Sequence, residues 1–183
     1  MKINFPLLAL AVGAFAIGTT EFSPMGFLPE IANDLSVSIP QAGLLISAYA
    51  VGVMIGAPLM TLWLARFPKK TALILLMAIF TIGNVLATVA PDYMSLMGAR
   101  LITSLNHGAF FGLGSVVAAS VVPKDKQASA VAMMFMGLTI ANIGGVPLAT
   151  WLSQNTSWRM AFAAISILGI MTILALWLSL IHI

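Results

Sequence analysis

Glu21 is an acid set in an apolar run, Ile17-Gly-Thr-Thr-Glu-Phe-Ser-Pro-Met-Gly-Phe-Leu-Pro-Glu-Ile-Ala32, long enough to lie inside a membrane span. An ionised side chain at the centre of a membrane helix costs about 3 kcal/mol, so this carboxyl must be protonated, paired or facing a wet cavity. Each of those states suits a group that handles protons, ions or solutes. The bland alternative is that Glu21 only marks the outer end of the first helix. Further along, Arg100, Ser104 and His107 recur at i, i+4 and i+7, and Phe111 continues the line. A continuous helix would stack all four on one face, and a face bearing a guanidinium and an imidazole is not made for lipid.

The depths of the two charges match. Arg100 lies about nine residues, roughly 13 Å, from Pro91, and Glu21 about ten residues, roughly 15 Å, from Ile31. Pairing would reduce the cost of burying either, so the expectation is that Glu21 and Arg100 are partners, directly or through water. Arg100 could equally form a structural ion pair that fixes helix packing. His107 suits proton relay, because its reference pKa lies near neutrality, and suits equally a hydrogen-bonded interior residue beside Asn106. Asn142 is a further interior amide, able to bind solute or to bond across helices. Ser104, His107, Phe111 and Asn142 are therefore the candidate cavity residues.

The elements that position these groups are set by composition. With 61% hydrophobic and 7% charged residues and a mean hydropathy of +1.07, the chain has too few polar side chains to cover a soluble globule. Six apolar segments are each long enough to cross a bilayer. They are Phe5 to Ile31, Gln41 to Ala65, Thr71 to Ala90, Tyr93 to Val121, Gln127 to Leu152 and Trp158 to about Leu178. The links between them are short and leave no room for a soluble domain. The fold expected is all-α, with the lipid bilayer as its main partner. The first span is retained rather than cleaved, since it lacks a clear small-residue cleavage site.

Lys2, Arg66, Lys69, Lys70, Lys124 and Lys126 fall on one side of the spans, and Arg159 alone flanks the other. Positive charge marks the cytoplasmic side, which puts both ends of the six-span unit there. Topology accounts for the net charge of +3 and the pI near 9.6 better than a nucleic-acid partner does.

One internal repeat stands out. Gly56-Ala-Pro58-Leu-Met-Thr61 in the second span recurs as Gly145-Val-Pro147-Leu-Ala-Thr150 in the fifth. These spans run in opposite directions, so the pattern suggests two inverted three-helix repeats, a recurring plan of secondary transporters. Gly52-x-x-x-Gly56 and Gly108-x-x-x-Gly112 are small-residue motifs that let helices approach closely. Pro24, Pro29, Pro58 and Pro147 can break the helical ladder, and Gly144-Gly145-Val146-Pro147 is the strongest candidate for a bend.

Enzyme signatures are absent: no His-Glu-x-x-His, Gly-x-Ser-x-Gly, nucleotide-binding loop or dinucleotide fingerprint occurs, and there is no cysteine. The reading is of a non-enzyme without cofactor or metal.

At these residues the sequence resembles the amino-terminal half of a major facilitator superfamily transporter, in the bacterial proton-coupled efflux branch of drug antiporters and arabinose or sugar efflux permeases. The most specific match is Gly18-Thr-Thr-Glu21-Phe22 through Gly26-Phe-Leu-Pro-Glu-Ile-Ala32. Arg100 resembles the family's fourth-helix arginine motif, with Ser104 where glycine is usual, and Gly145 and Pro147 resemble the antiporter glycine-proline motif. Arg66, Lys69 and Lys70 are similar to the signature basic loop, here with Ala65 in place of its aspartate and Pro68 in place of its glycine.

The resemblance implies a multi-pass inner-membrane protein that exports small molecules against proton entry. Glu21 would be the proton-binding carboxylate and Arg100 its charge partner. Protons, a small-molecule substrate and a second six-helix half are the implied partners. The bundle is assigned to residues 1–177, and residues 178–183 look like an adapter-derived tail that ends a truncated gene. The competing class is a six-helix assembly or pore-forming protein that does not transport by alternating access, which the glycine faces would also permit.

Overall fold

The computed structural model describes residues 4–179. All its regular elements are helical, and six stretches are long and apolar enough to cross a membrane. The first span is α1 (Phe5–Gly26) followed by α2 (Leu28–Asp34), the second α3 (Ile39–Leu64) and the third α4 (Lys69–Thr88). The fourth comprises α5 (Tyr93–Ser104) and α6 (His107–Ser120). A short 3₁₀ turn, Lys124–Lys126, leads into the fifth span, α7 (Gln127–Ile140) and α8 (Val146–Asn155), and α9 (Trp158–Ser179) is the sixth. Leu178 and Ser179 continue α9. The remainder of the expected foreign tail, 180–183, lies outside the described residues.

Local chemistry fixes several ends. Asn4 caps α1 by accepting from Leu7 N–H, Ser38 caps α3 by accepting from Gln41 N–H, and Asp92 and Ser95 form a reciprocal capping box at α5. Lys69 and Lys70, placed in a loop by sequence, open α4 instead, directly after Pro68.

Three spans are interrupted, two of them beside prolines singled out above and the fourth where a continuous helix was expected. The first turns at Phe27, because Pro29 has no N–H for the Met25 carbonyl and its ring crowds the preceding turn. The fifth widens into a π-helical turn, Ala141–Gly145, where Val146 N–H reaches back to Ala141. That turn lies immediately before Pro147 and is the bend expected there. The fourth breaks at Leu105–Asn106, where Leu105 N–H bonds Ile102 rather than Leu101. No proline forces this last break. Asparagine is a weak helix former, and a one-turn tightening is its local result.

The spans pack in a pattern that survives exchanging the first three for the last three. The first lies against the fifth and sixth, the fourth against the second and third, and the third against the sixth. The repeated glycines occupy matching crossings. A Cβ on Gly56 would meet Leu105 Cα of the fourth span at 2.8 Å, and one on Gly145 would meet Thr19 Oγ1 of the first at 2.3 Å. Pro58 and Pro147 are both exposed. Gly52 and Gly108 are also contact glycines, against Ser104 and Ala57, whereas nothing lies within 4 Å of a Cβ built on Gly112. The packing expected of Gly112 is therefore absent; it borders an open groove between the second and fourth spans.

The core is mainly apolar, with Leu10, Ile17, Leu76, Phe80, Phe110 and Met134 in one cluster and Phe27, Ile31, Leu96, Trp158 and Phe162 in another, and it also encloses Asn84, Arg100, Thr103 and Ser104. Large apolar side chains also cover the outside, Leu62 at 76% exposure and Ile143 at 74% among them, which suits a surface solvated by lipid. Asn4 donates to the Val121 carbonyl, so the chain start and the fourth-to-fifth link share one end. At the opposite end, Arg159 bonds Asp34 and the Ala90 carbonyl, joining the first-to-second, third-to-fourth and fifth-to-sixth links.

Candidate functional site

The first, second and fourth spans bring Glu21, Tyr49, Arg100 and His107 together. Glu21 comes from the last third of α1, where Gly13, Gly18 and the buried Thr19 and Thr20 keep this helix close to its neighbours. Its carboxylate Oε2 lies 3.7 Å from His107 Nε2, with the two side chains 27% and 14% exposed. His107 starts α6 just after the break, which turns its ring toward α1 and α3. Its Nδ1 is 3.2 Å from the Tyr49 hydroxyl.

Arg100 is the most deeply buried charge, at 1% exposure. Its guanidinium sits 4.2 Å from the centre of the Tyr49 ring, a cation–π contact, and Nη1 donates to the Thr20 carbonyl at 2.9 Å. Thr20 in turn donates to Asn84 Oδ1 at 2.6 Å, and Asn84 Nδ2 donates to the Phe80 carbonyl. A polar thread thus runs from a half-buried carboxylate, through imidazole, phenol and guanidinium, to an amide in the third span.

No salt bridge joins Glu21 to Arg100 among the described residues. The direct form of the expected partnership is replaced by one through His107 and Tyr49 and by the Thr20 main chain next to Glu21. The physical reason is rotation: Arg100 points under α1 at its backbone, while Glu21 projects past the α1 edge toward the fourth span.

The other expected cavity residues divide. Phe111 lies next to His107, ring centres 5.2 Å apart, and stacks on Phe135 of the fifth span at 5.1 Å, forming an aromatic wall. Ser104 is fully buried, donates to the Leu101 carbonyl and faces Gly52, so it lines a helix crossing rather than a cavity. Asn142 is exposed on the π-helical turn and donates to the Leu138 carbonyl of its own span, so it makes no cross-helix bond. In the basic loop, the Arg66 guanidinium stacks on Trp63 and Phe67, with Lys69 and Lys70 following.

Sequence reasoning missed Tyr49, Thr20 and Asn84. An amide in the middle of an otherwise apolar 20-residue span was a usable signal for Asn84, since such a group must find partners across helices. Nothing comparable marks Tyr49. Among the described residues no group of three His, Asp or Glu side chains gathers to hold a metal ion.

Residues 10–182 match the family model described as Major Facilitator Superfamily. Over 98% of its length the chain is 71% identical to the inner membrane transport protein YdhP of Escherichia coli strain K12, covering 46% of that protein. It is 35% identical over 88% of its length to a chloramphenicol resistance protein of Streptomyces lividans, covering 41% of it. The fold superposes on the crystal structure of a bacterial homologue of the human lysosomal transporter Spinster, inward-facing and unoccupied, with a TM-score of 0.78, 20% identity and coverage of 96% of this chain and 42% of that one. The chain spans about half the length of the relatives it matches.

Proposed function

The chain belongs to the major facilitator superfamily, and from that membership we propose that it is the amino-terminal six-helix half of a proton-coupled exporter of small molecules working by alternating access. The observation that carries the reading is the placement of Glu21. A carboxylate at membrane depth is held beside an imidazole on the half-exposed face of the bundle, where water and a proton can reach it. A merely structural acid would be expected to lie inside the core with all its oxygens bonded.

In this reading the ionised form of Glu21 is held by His107 and lies in the field of Arg100. A proton arriving from outside neutralises it and removes that attraction, which shifts the balance between two packings of the half against its partner half. The widened turn at Ala141–Gly145 and the glycine crossings at Gly56 and Gly145 supply places where helices can pivot. Substrate would meet the aromatic wall of Phe111 and Phe135 beside His107, which suits an amphipathic, partly aromatic compound better than a bare sugar. Export is the direction favoured by the relative named for drug resistance, and the inner membrane with a cytoplasmic N-terminus is the location favoured by YdhP and by the lysines of Lys124–Lys126 and Lys69–Lys70.

The test uses the full-length transporter reconstituted in vesicles holding a pH-sensitive dye, with chloramphenicol and a panel of amphipathic aromatics as substrates. Substrate addition is expected to release protons across the membrane in the native protein. Glu21→Gln should abolish that flux while insertion and substrate binding persist. Unchanged proton flux in Glu21→Gln removes the mechanism.

A further inference from the structure

Among the described residues Tyr49 joins His107 to Arg100, through its hydroxyl on one and its ring on the other, and it comes from a span that carries no other polar member of the site. It is 2% exposed, so its hydroxyl cannot turn to water. Leaving a buried hydroxyl proton without an acceptor costs on the order of 1–3 kcal/mol. Among the described residues His107 Nδ1 is the partner found for that hydroxyl. The guanidinium over the ring draws electron density from the phenol and makes it a better donor. Tyr49 Oη therefore donates and Nδ1 accepts.

A neutral imidazole that accepts on Nδ1 carries its proton on Nε2. Nε2 is the atom facing the Glu21 carboxylate at 3.7 Å, so the ring presents a donor to an anion. In the opposite tautomer, two acceptor lone pairs would face each other at Nε2 and the Tyr49 proton would be orphaned. Both sides of the ring thus select the same state.

We propose that Tyr49 is a positioning residue: it locks His107 in the Nε2-protonated tautomer, so that the site holds Glu21 more strongly when it is ionised than when it is protonated. The difference follows from the lock. A protonated carboxyl keeps a carbonyl oxygen that can accept from Nε2–H, but without its charge that contact is roughly half as strong. Its new hydroxyl proton cannot be given to Nε2, which already carries a hydrogen, so protonation weakens the grip and no re-bonding offsets the loss. The charged and titratable groups facing His107 are Glu21 from α1 and Tyr49 from α3, with Arg100 of α5 behind the tyrosine ring. The consequence for transport rests on the proton-coupled reading above; the tautomer itself does not.

Histidine nitrogen shifts separate the two tautomers directly. The full-length transporter, labelled with 15N-histidine and placed in lipid nanodiscs, is compared with Tyr49→Phe, which keeps the ring under Arg100 and removes only the hydroxyl. The His107 signal is assigned by its loss in His107→Asn. The native protein is expected to show Nε2–H, and Tyr49→Phe a mixture in which the preference falls about tenfold, with transport losing its dependence on external pH in the same variant. A native Nδ1–H signal, or an unaltered Nε2–H signal in Tyr49→Phe, overturns the proposal. If Glu21→Gln leaves proton flux intact while Tyr49→Phe still changes the tautomer, the functional reading fails and the positioning role stands.

Discussion

Glu21 faces His107 rather than Arg100: the carboxylate and Nε2 lie 3.7 Å apart, while the arginine spends its hydrogen bond on the main chain of Thr20. Arg100 keeps its carbonyl bond and its aromatic face whether Glu21 is charged or neutral. Its Nε and Nη2, however, are buried without a hydrogen-bond partner among the described residues. The main chain and the ring therefore compensate the cation only in part, and the acid's charge still matters to it.

Among the glycines at the crossing of the first and fifth spans, Gly137 lies directly against backbone. A Cβ on Gly137 would lie 2.0 Å from the Ala11 carbonyl oxygen, which is backbone and cannot rotate away. Gly137→Ala should force the spans apart and destabilise the bundle by about 1–3 kcal/mol, read as a shift in thermal unfolding in detergent. Gly112→Ala, where nothing lies within 4 Å, should stay within about 0.5 kcal/mol of the native protein. Equal losses in the two variants would mean that close approach does not govern this packing.

At the opposite end from the chain start, Asp34 accepts from Arg159 and from Trp158 Nε1, and Arg159 also donates to the Ala90 carbonyl at 2.9 Å. The Arg159 hydrogen bond holds the Asp34 carboxyl below its ordinary range. A lowered folded value means the stabilisation is present above the unfolded value, about 3.9, and is lost as pH falls through the folded one. Because the pair is exposed, Asp34→Asn should cost no more than about 1 kcal/mol at pH 7. The difference in melting temperature from the native protein should close as the pH is taken below about 3.9. A gap that persists or widens in acid would assign the effect to something other than this ion pair.

The absence of cysteine allows single-site labelling to report orientation. Gln154→Cys lies in the last turn of α8, beside the link to the sixth span, and Lys124→Cys in the link between the fourth and fifth, both exposed. In the full-length transporter with any other cysteine removed, a membrane-impermeant maleimide should label Gln154→Cys in intact cells. Lys124→Cys should react only after permeabilisation. The reverse pattern would invert the topology proposed here.

Six spans, their limits to within a few residues, and the interruptions near Pro29 and Pro147 were legible because hydropathy and proline act locally. The Gly56 and Gly145 repeat was legible too, and both residues mark tight crossings in equivalent places. Legible as candidates, but not as partners, were Glu21, Arg100 and His107. The partner of Arg100 is a carbonyl 80 positions earlier, and that of His107 is a phenol 58 positions earlier.

The amino-acid sequence by itself determined that this chain crosses a membrane six times and carries an acid, a guanidinium and an imidazole at membrane depth. Only the tertiary structure decided which of them meet. In a span that is apolar on every side, no polar face sets the rotation of the helix about its axis. That rotation is set by where small residues admit a neighbour, as Gly52 admits Ser104, Gly83 admits Thr103 and Gly137 admits Ala11. Those contacts turn Arg100 under the first helix and leave Glu21 at its edge, facing His107.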